Sequence, residues 1–500
     1  MPPAQALDWK FESGVDASAT YTDNVRQSVN KDDAFILRVT PEFTLQSEGS
    51  RRVQAMLQYG LSGVARLGDS TRNNNNDLFH NLNAAGKAEL VEDFLFIEGN
   101  ARISQELISL LGSPSSADVN SSNRANVGTY SISPYVQKRL GTFANAKVRY
   151  TASGAVFESQ TTADSSVNAF NADLVSGTRF NDFSWGLNYF LRKAENRNAA
   201  IVTANADTTF ERASATVGYA MTRKFRVFGT VGQDWNDYLS TTETSGSFYS
   251  VGFGWAPTRR TSIEASAGER YFGSSYSVAG SHRTRMSRWT VRYFEDVSDI
   301  TQQFLLQSNR IFWDCGGVLE EATDTTNPNP GRCVGPYTAG QLANMASQLG
   351  YTNEQIAAMG FGRISSANGV YIIKSFSAGV NWDIGRLALG LSAQDTRRLY
   401  QLFGDAEDSV QGVTGSINYR MSPKTTAFSS LSLTRTHVDG LLNLGVTRDD
   451  DLVSLSLGLN HRFAEDLSGA LVLRHTERDS NVATADYTEN RLTATVNMRF

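Results

Sequence analysis

The stretch RLTATVNMRF, residues 491–500, decides how this chain is read. Leu492, Ala494, Val496, Met498 and Phe500 alternate with Thr493, Thr495, Asn497 and Arg499. That period of two puts the apolar set on one face of a β-strand and the polar set on the other. In water, a strand with a wholly apolar exposed face invites pairing with other chains. One face therefore calls for an apolar solvent and the other for water.

The same alternation recurs along the sequence. Trp9, Phe11, Val15, Ala17 and Tyr21 share a face opposite Lys10, Glu12, Asp16 and Thr20. Val53, Ala55, Leu57, Tyr59 and Leu61 form another such face, as do Tyr249, Val251, Phe253 and Trp255. Val453, Leu455, Leu457 and Leu459 alternate with Ser454, Ser456, Gly458 and Asn460. Each apolar face runs for about ten residues, the length a tilted strand needs to cross a bilayer.

Composition agrees with a membrane barrel better than with a soluble enzyme. The chain has only five histidines and ten prolines, with 41 glycines and 45 residues of Tyr plus Phe. Mean hydropathy is −0.32, and no run of eighteen apolar residues offers a spanning helix. A β-barrel is the membrane architecture compatible with negative hydropathy, because half of every strand is polar. The net charge of −5 argues against a nucleic-acid partner.

Two kinds of connection separate the strands. Short ones lie at 48–52, 91–93, 140–142, 179–182, 222–224, 257–260, 285–288, 383–386, 422–424 and 464–466. Long polar ones lie at 69–77, 112–126, 159–166, 195–200 and 479–486. Short periplasmic turns and long external loops are the outer-membrane pattern. Ten short turns join twenty strands, and one more at each end gives about 22, with 18 to 24 as the range. The reading is an all-β, antiparallel, up-and-down transmembrane barrel over residues 7–500, with both ends in the periplasm. A soluble sandwich would show alternation and turn signals too. It would not explain turns spaced by about forty residues, apolar faces nearly free of Lys and Glu, or aromatics gathered at strand ends. Trp185, Phe225, Trp255, Trp289, Trp382 and Phe463 lie beside short turns, and Tyr21, Tyr238 and Tyr271 beside long loops, the placement of two interfacial girdles.

Residues 299–368 break the alternation and are expected to form a long, irregular, partly helical extracellular loop. Leu342, Met345, Ala346 and Leu349 have helical spacing, and Thr352 with Gln355 forms a capping box ahead of Ile356 and Met359. A loop this long is expected to fold into the lumen, to cap it, or to decorate the surface. It carries the only cysteines, Cys315 and Cys333. With no C-x-x-C and no histidine cluster nearby, zinc is not expected. An oxidising periplasm favours a disulfide, worth about 3 kcal/mol in the loop-entropy account, with two free thiols as the alternative. At the other end of the chain, Ala4-Gln5-Ala6 has the form of a signal-peptidase site, so residues 1–6 are expected to be a signal-peptide remnant.

Three stretches resemble outer-membrane proteins associated with the PEP-CTERM/exosortase system. They are TYSISPYVQKRLGTFANAKVRYTAS (129–153), RTSIEASAGERYFGSSYSVAGSHRTRMSRWTVRYFEDVSD (260–299) and VYIIKSFSAGVNWDIGRLALGLSAQDTRR (370–398). The second carries R-Y-F-G, H-R-T-R and W-x-V-x-Y-x-E-D elements. The resemblance implies a barrel tied to loci for exopolysaccharide synthesis and protein sorting, which moves polysaccharide or assembles surface material. It supplies no active-site residues. The terminal Phe500 fits, by the same outer-membrane resemblance, the aromatic signal by which the barrel-assembly machinery recognises its clients.

No catalytic constellation emerges. His80, His282, His437, His461 and His475 are scattered over different strands, and no G-x-S-x-G is present. No enzyme activity, metal or cofactor is expected. Alternation points Lys10, Glu12, Asp16, Arg38, Glu42, Arg292, Lys374, Thr493, Thr495, Asn497 and Arg499 into the lumen, where mixed charge and hydroxyls suit a water-filled path. Arg283, Arg285 and Arg288 form a basic cluster at a periplasmic turn, suited to an acidic polymer or simply solvated. Barrels of this size usually hold a plug. With the first strand near Asp8 no N-terminal plug is expected, which leaves 299–368 as the internal candidate. The leading function is a conduit or assembly component for exopolysaccharide or another surface polymer. A general or solute-selective porin and a non-conducting structural or adhesive scaffold are the alternatives. The expected partners are outer-membrane lipid and lipopolysaccharide, the assembly machinery, polysaccharide and periplasmic export components.

Overall fold

A computed structural model of the chain describes residues 8–48, 50, 52–68, 77–107, 111, 124–158, 164–197, 207–308, 311–314, 319–322, 334–338, 369–402, 404, 406–442 and 445–500. The expected signal remnant (1–6), both cysteines and the expected helix near 342–359 lie outside the described residues.

The strands follow one another as β1 (Asp8–Thr22), β2 (Ala34–Glu48), β3 (Val53–Leu67), β4 (Asp77–Val91), β5 (Leu95–Leu107), β6 (Arg124–Leu140), β7 (Ala144–Phe157) and β8 (Asp164–Ser176). Next come β9 (Phe183–Arg197), β10 (Thr208–Thr222), β11 (Phe225–Asp237), β12 (Gly246–Thr258), β13 (Thr261–Arg270), β14 (Gly273–Arg283) and β15 (Ser287–Asp299). After β15 the chain forms helix α1 (Ile300–Ser308) and a small three-stranded sheet of β16 (Ile311–Asp314), β17 (Leu319–Ala322) and β18 (Val334–Thr338). It rejoins the wall as β19 (Val370–Ile384), followed by β20 (Leu387–Tyr400), β21 (Glu407–Ser422), β22 (Thr425–Val438), β23 (Arg448–Arg462), β24 (Leu467–Ser480) and β25 (Tyr487–Arg499).

Setting the small sheet aside, 22 strands form one antiparallel sheet in which each pairs with its chain neighbours. β15 pairs with β19, Asp299 opposite Val370. Closure comes from β1 against β25, from Gly14 opposite Arg499 to Thr22 opposite Arg491. The Phe500 N–H also donates to the Ser13 carbonyl at 2.8 Å. The stretch at 491–500 is thus a paired seam and not an edge. Closure leaves no row of unpaired amides, which is what a sheet needs in hydrocarbon.

All ten short connections expected from the sequence join these strands at one end, the end that also holds both barrel termini. The other end carries the longer connections, with one exception. β13 and β14 are joined by Tyr271 and Phe272 alone, and they are the shortest strands of the wall, at 10 and 11 residues. The barrel rim is therefore low there.

Side-chain exposure sorts the two faces. Leu455, Leu457, Leu459, Leu471, Leu473, Leu492 and Val496 stand on the outside, each 38–50% exposed. Trp255, Trp289 and Phe463 ring the short-turn end of that apolar band. Trp289 and Trp382 meet edge-to-face at 5.6 Å. Tyr21 faces outward at the opposite end, as expected. Tyr238 does not. It is buried, and its hydroxyl meets that of Tyr271 at 2.9 Å. Both serve an internal contact instead of a lipid girdle.

Inside, aromatic rings fill space over glycines on the neighbouring strand. Phe228 faces Gly252, Phe248 faces Gly232, and Phe428 faces Gly458. A side chain at Gly458 would enter the Phe428 ring. Overpacking of this kind costs about 1–3 kcal/mol. Gly458→Leu should therefore lower the fraction of heat-modifiable, folded protein, and Phe428→Ala in the same chain should partly restore it. The readout is the folded and unfolded bands on semi-native gels.

Candidate functional site

The lumen wall is built from the polar halves of the strands. Among the described residues, hydroxyls on the lumen face pair across neighbouring strands at seven places: Thr20–Thr493, Thr40–Ser62, Ser133–Thr151, Thr216–Thr230, Ser266–Ser277, Ser375–Thr396 and Thr414–Ser432. Their oxygens lie 2.7–3.3 Å apart. These neutral pairs line the wall without fixing charge on it. On β5–β7 the lining changes character. Phe96 and Tyr135 stack at 5.0 Å, Lys147 and Arg149 lie over the Tyr135 ring, and Glu98 accepts from Tyr135 and Arg149.

Towards the loop end the lumen holds buried and half-buried guanidinium–carboxylate pairs. Arg398 donates to Asp408 at 2.7 Å, and Tyr400 donates to the second Asp408 oxygen at 2.7 Å. Arg212 and Arg270 share Asp234, and Arg270 also reaches Asp296. Arg491 meets Glu489, which also accepts from Thr22 and Gln27. Charges this buried require partners, since an unpaired one would carry its full desolvation cost.

One pair has a different geometry. Asp299 ends β15, yet it is bound bidentately by Arg192 of β9, six strands away around the wall. Both side chains are less than a tenth exposed. Two non-neighbouring strands can meet only through the interior. The chain continues inward from there. The Asp299 carboxylate accepts the Gln302 N–H at 2.8 Å and so caps α1. Ile300 packs on Val127, Ala155 and Phe157 of β6 and β7, and the Thr301 hydroxyl donates to Ser165 of β8 at 3.0 Å. The start of the β15–β19 connection therefore crosses the lumen to the opposite wall.

The low rim at β13–β14 makes room for this crossing. Val297, Val370 and Ile372 belong by alternation to the outer face, yet they pack against Phe210 and Tyr238 in a buried cluster closed by Tyr271 and Phe272. Outer-face residues of β15 and β19 meet lumen-face residues of β10 because the β15–β19 end tips into the mouth. Burial pushes the Tyr238 and Tyr271 hydroxyls above the usual phenol range, so their mutual hydrogen bond stays neutral. Outside the fold, the β11–β12 connection bridges to the β20–β21 connection, with the Thr241 N–H donating to the Gln401 carbonyl at 3.0 Å.

Strand pairing sets the faces of the residues singled out from the sequence. Lys10, Glu12 and Asp16 oppose the exposed Trp9 and Phe11, and Asn497 donates to Asp16. Arg38 reaches Ser62 at 2.9 Å, and Glu42 accepts from Gln58. Thr493, Thr495, Asn497 and Arg499 share the face opposite Leu492, Val496 and Met498. Arg292 lies over Phe294. Lys374 is the correction. It shares a face with Phe376 and Trp382 and lies 3.7 Å from Glu295 on the outer surface. In VYIIK both faces are apolar, since the outer one is covered by the tipped hairpin's contacts, so parity was not legible there. Arg283 and Arg288 are direct cross-strand partners, with Arg285 in the turn between them.

All five histidines lie on the outer face, each bonded to a neighbour: His80 to Tyr59, His282 to Thr261, His437 to Asp449, His461 to Thr425 and His475 to Asn490. Histidine thus supplies no acid or base to the lumen. Among the described residues no group of three or more metal-ligating side chains comes together. Arg192 and Asp299 were missed in the sequence, and no local signal marks a contact spanning 107 residues. Removing one partner of such a buried pair costs about 3–5 kcal/mol. Asp299→Ala should therefore speed amide exchange in residues 297–305 while exchange in β20–β24 stays as it was.

No protein-family model matches the sequence, and no curated protein matches it. Among solved structures, the siderophore receptor PirA from Acinetobacter baumannii is similar with a TM-score of 0.51 at 8% identity, over 99% of this chain and 81% of that one. PirA from Pseudomonas aeruginosa aligns with a TM-score of 0.47 at 6% identity, over 98% and 80%. The FrpB iron transporter from Neisseria meningitidis (F5-1 variant) aligns with a TM-score of 0.49 at 10% identity, over 98% and 81%. The first likeness is one of architecture. The closed 22-strand wall and its apolar outer band make the chain a β-barrel of the bacterial outer membrane.

Proposed function

We propose that the barrel is a gated conduit for exopolysaccharide or another surface polymer, and that it belongs with the PEP-CTERM/exosortase-associated barrels it resembles. The observation that carries the gating is the segment from Asp299 to Thr301, which is anchored across the lumen on β6–β9. A chain segment held inside the lumen on a buried ion pair gives a gate a fixed seat. A path for a polymer needs a wall that is polar but not sticky, and seven neutral hydroxyl pairs offer that. The polymer and its periplasmic export components are the partners on this reading. PirA is called a siderophore receptor, but at 8% identity the likeness carries architecture and not cargo.

Asp299 and Val370 are opposite one another in the wall, so a short turn can replace 300–369 without disturbing closure. In planar bilayers that variant should give large, stable channels where the intact barrel gives small or rare ones. Equal conductance of the two would remove the gate. A strain lacking the protein should lose extracellular polymer while its outer membrane stays intact, and unchanged polymer would sink the conduit reading.

A further inference from the structure

The short-turn end of the β19–β25 wall holds a cavity of about 350 Å³. Arg386, Arg420, Lys424 and Arg462 line it. All four are exposed, and none of their side chains has a hydrogen bond or ion pair among the described residues. This differs from the loop end, where the buried arginines are paired. Asp383 is the one carboxylate in the lining.

The cations are held close by the backbone. The Arg420 N–H donates to the Arg386 carbonyl at 2.8 Å, and the Arg462 N–H donates to the Lys424 carbonyl at 2.8 Å. Arg386 in the β19–β20 turn, Arg420 on β21, Lys424 in the β21–β22 turn and Arg462 on β23 thus sit within three strand spacings or about 14 Å. That is comparable with a Debye length of about 10 Å, so they repel one another through salt. A concave site lined with one sign of charge concentrates counter-ions of the other sign. Three guanidinium groups supply forked donors that match carboxylate or phosphate oxygens.

Beside apolar residues such as Leu387 and Pro423, the lining also offers neutral hydrogen-bonding side chains. Asn418, Thr426, Asn460, Ser468, Thr495 and Asn497 reach the same cavity. The Asn460 Oδ1 is buried with no partner. Acceptors and donors beside a cluster of cations fit sugar hydroxyls next to an acid group. The neighbouring turn extends the charge. Arg283 faces Arg288, and the Asp383 N–H donates to the Met286 carbonyl at 2.7 Å, which joins that turn to the cavity wall.

We infer that this cavity is a binding site for an acidic glycan, taking its carboxylate or phosphate groups on Arg386, Arg420, Lys424 and Arg462 and its hydroxyls on the asparagines and threonines. It rests on the conduit reading for its role, as the periplasmic entry at which the polymer is captured. The binding itself is independent of that reading.

The test uses the full-length barrel in detergent, with folding of every variant checked by heat-modifiability. Calorimetric titration with an oligogalacturonate should show binding that weakens steeply with salt, and a neutral dextran oligomer should show none. Arg420→Gln with Arg462→Gln should weaken binding by about tenfold or more, as should Arg386→Gln with Lys424→Gln, since each lost charged hydrogen bond is worth about that factor. Arg259→Gln, at the β12–β13 turn, should leave it unchanged. No binding at low salt, an equal loss in Arg259→Gln, or binding of inorganic phosphate without the oligomer would each overturn the glycan site. Normal polymer secretion in the deletion strain, with oligogalacturonate binding intact, would remove the conduit and leave the site.

Discussion

The structure depends on one constraint, the pairing of β1 with β25. In hydrocarbon an unpaired row of backbone amides has no water to turn to, so the sheet must close. Everything else follows from that closure. With 22 strands the wall encloses more space than its own side chains fill. The polar half of each strand then faces an interior that the chain must leave wet, line with pairs, or occupy with more chain. This protein does all three. Hydroxyl pairs line the wall, buried Arg–Asp pairs tighten the loop end, and the β15–β19 connection enters the mouth.

The entry of that connection turns on Asp299. Its carboxylate has two jobs, as bidentate partner of Arg192 and as cap of α1. Neither would suffice alone. A nine-residue helix is marginal by itself in water, and a buried ion pair contributes little net stability while strongly penalising the loss of either partner. Together they fix where the chain leaves the wall. The short β13–β14 turn is the complementary feature, since a taller rim would occupy the space into which Val297 and Ile372 tip.

Much of this fold was legible in the sequence because a barrel's rules are local. Alternation gave the lipid and lumen faces of residues such as Leu455 and Asn497, and tight polar stretches gave the ten turns. The strand number followed by counting. What was not legible depends on distant contacts. Lys374 was misassigned because VYII is apolar on both faces, a consequence of packing against residues more than a hundred positions away. Tyr238 looked like a girdle residue because nothing nearby reveals that the rim beside it is low. The basic residues Arg386, Lys424 and Arg462 were visible within or beside the turns. Their convergence on one cavity needed the register of four strands.

The chain after β15 crosses the lumen and is seated on the far wall. A direct check places Cys at Ser165 and at Thr301, whose hydroxyls are 3.0 Å apart, in a chain with Cys315 and Cys333 replaced by Ser. Ser166, on the outer face of β8, provides the control with Thr301. In native outer membranes under mild oxidation, the 165–301 pair should form an intramolecular disulfide in most molecules and the 166–301 pair should form none. A 165–301 pair that stays reduced, in barrels shown to be folded, would mean that the segment does not sit on β8.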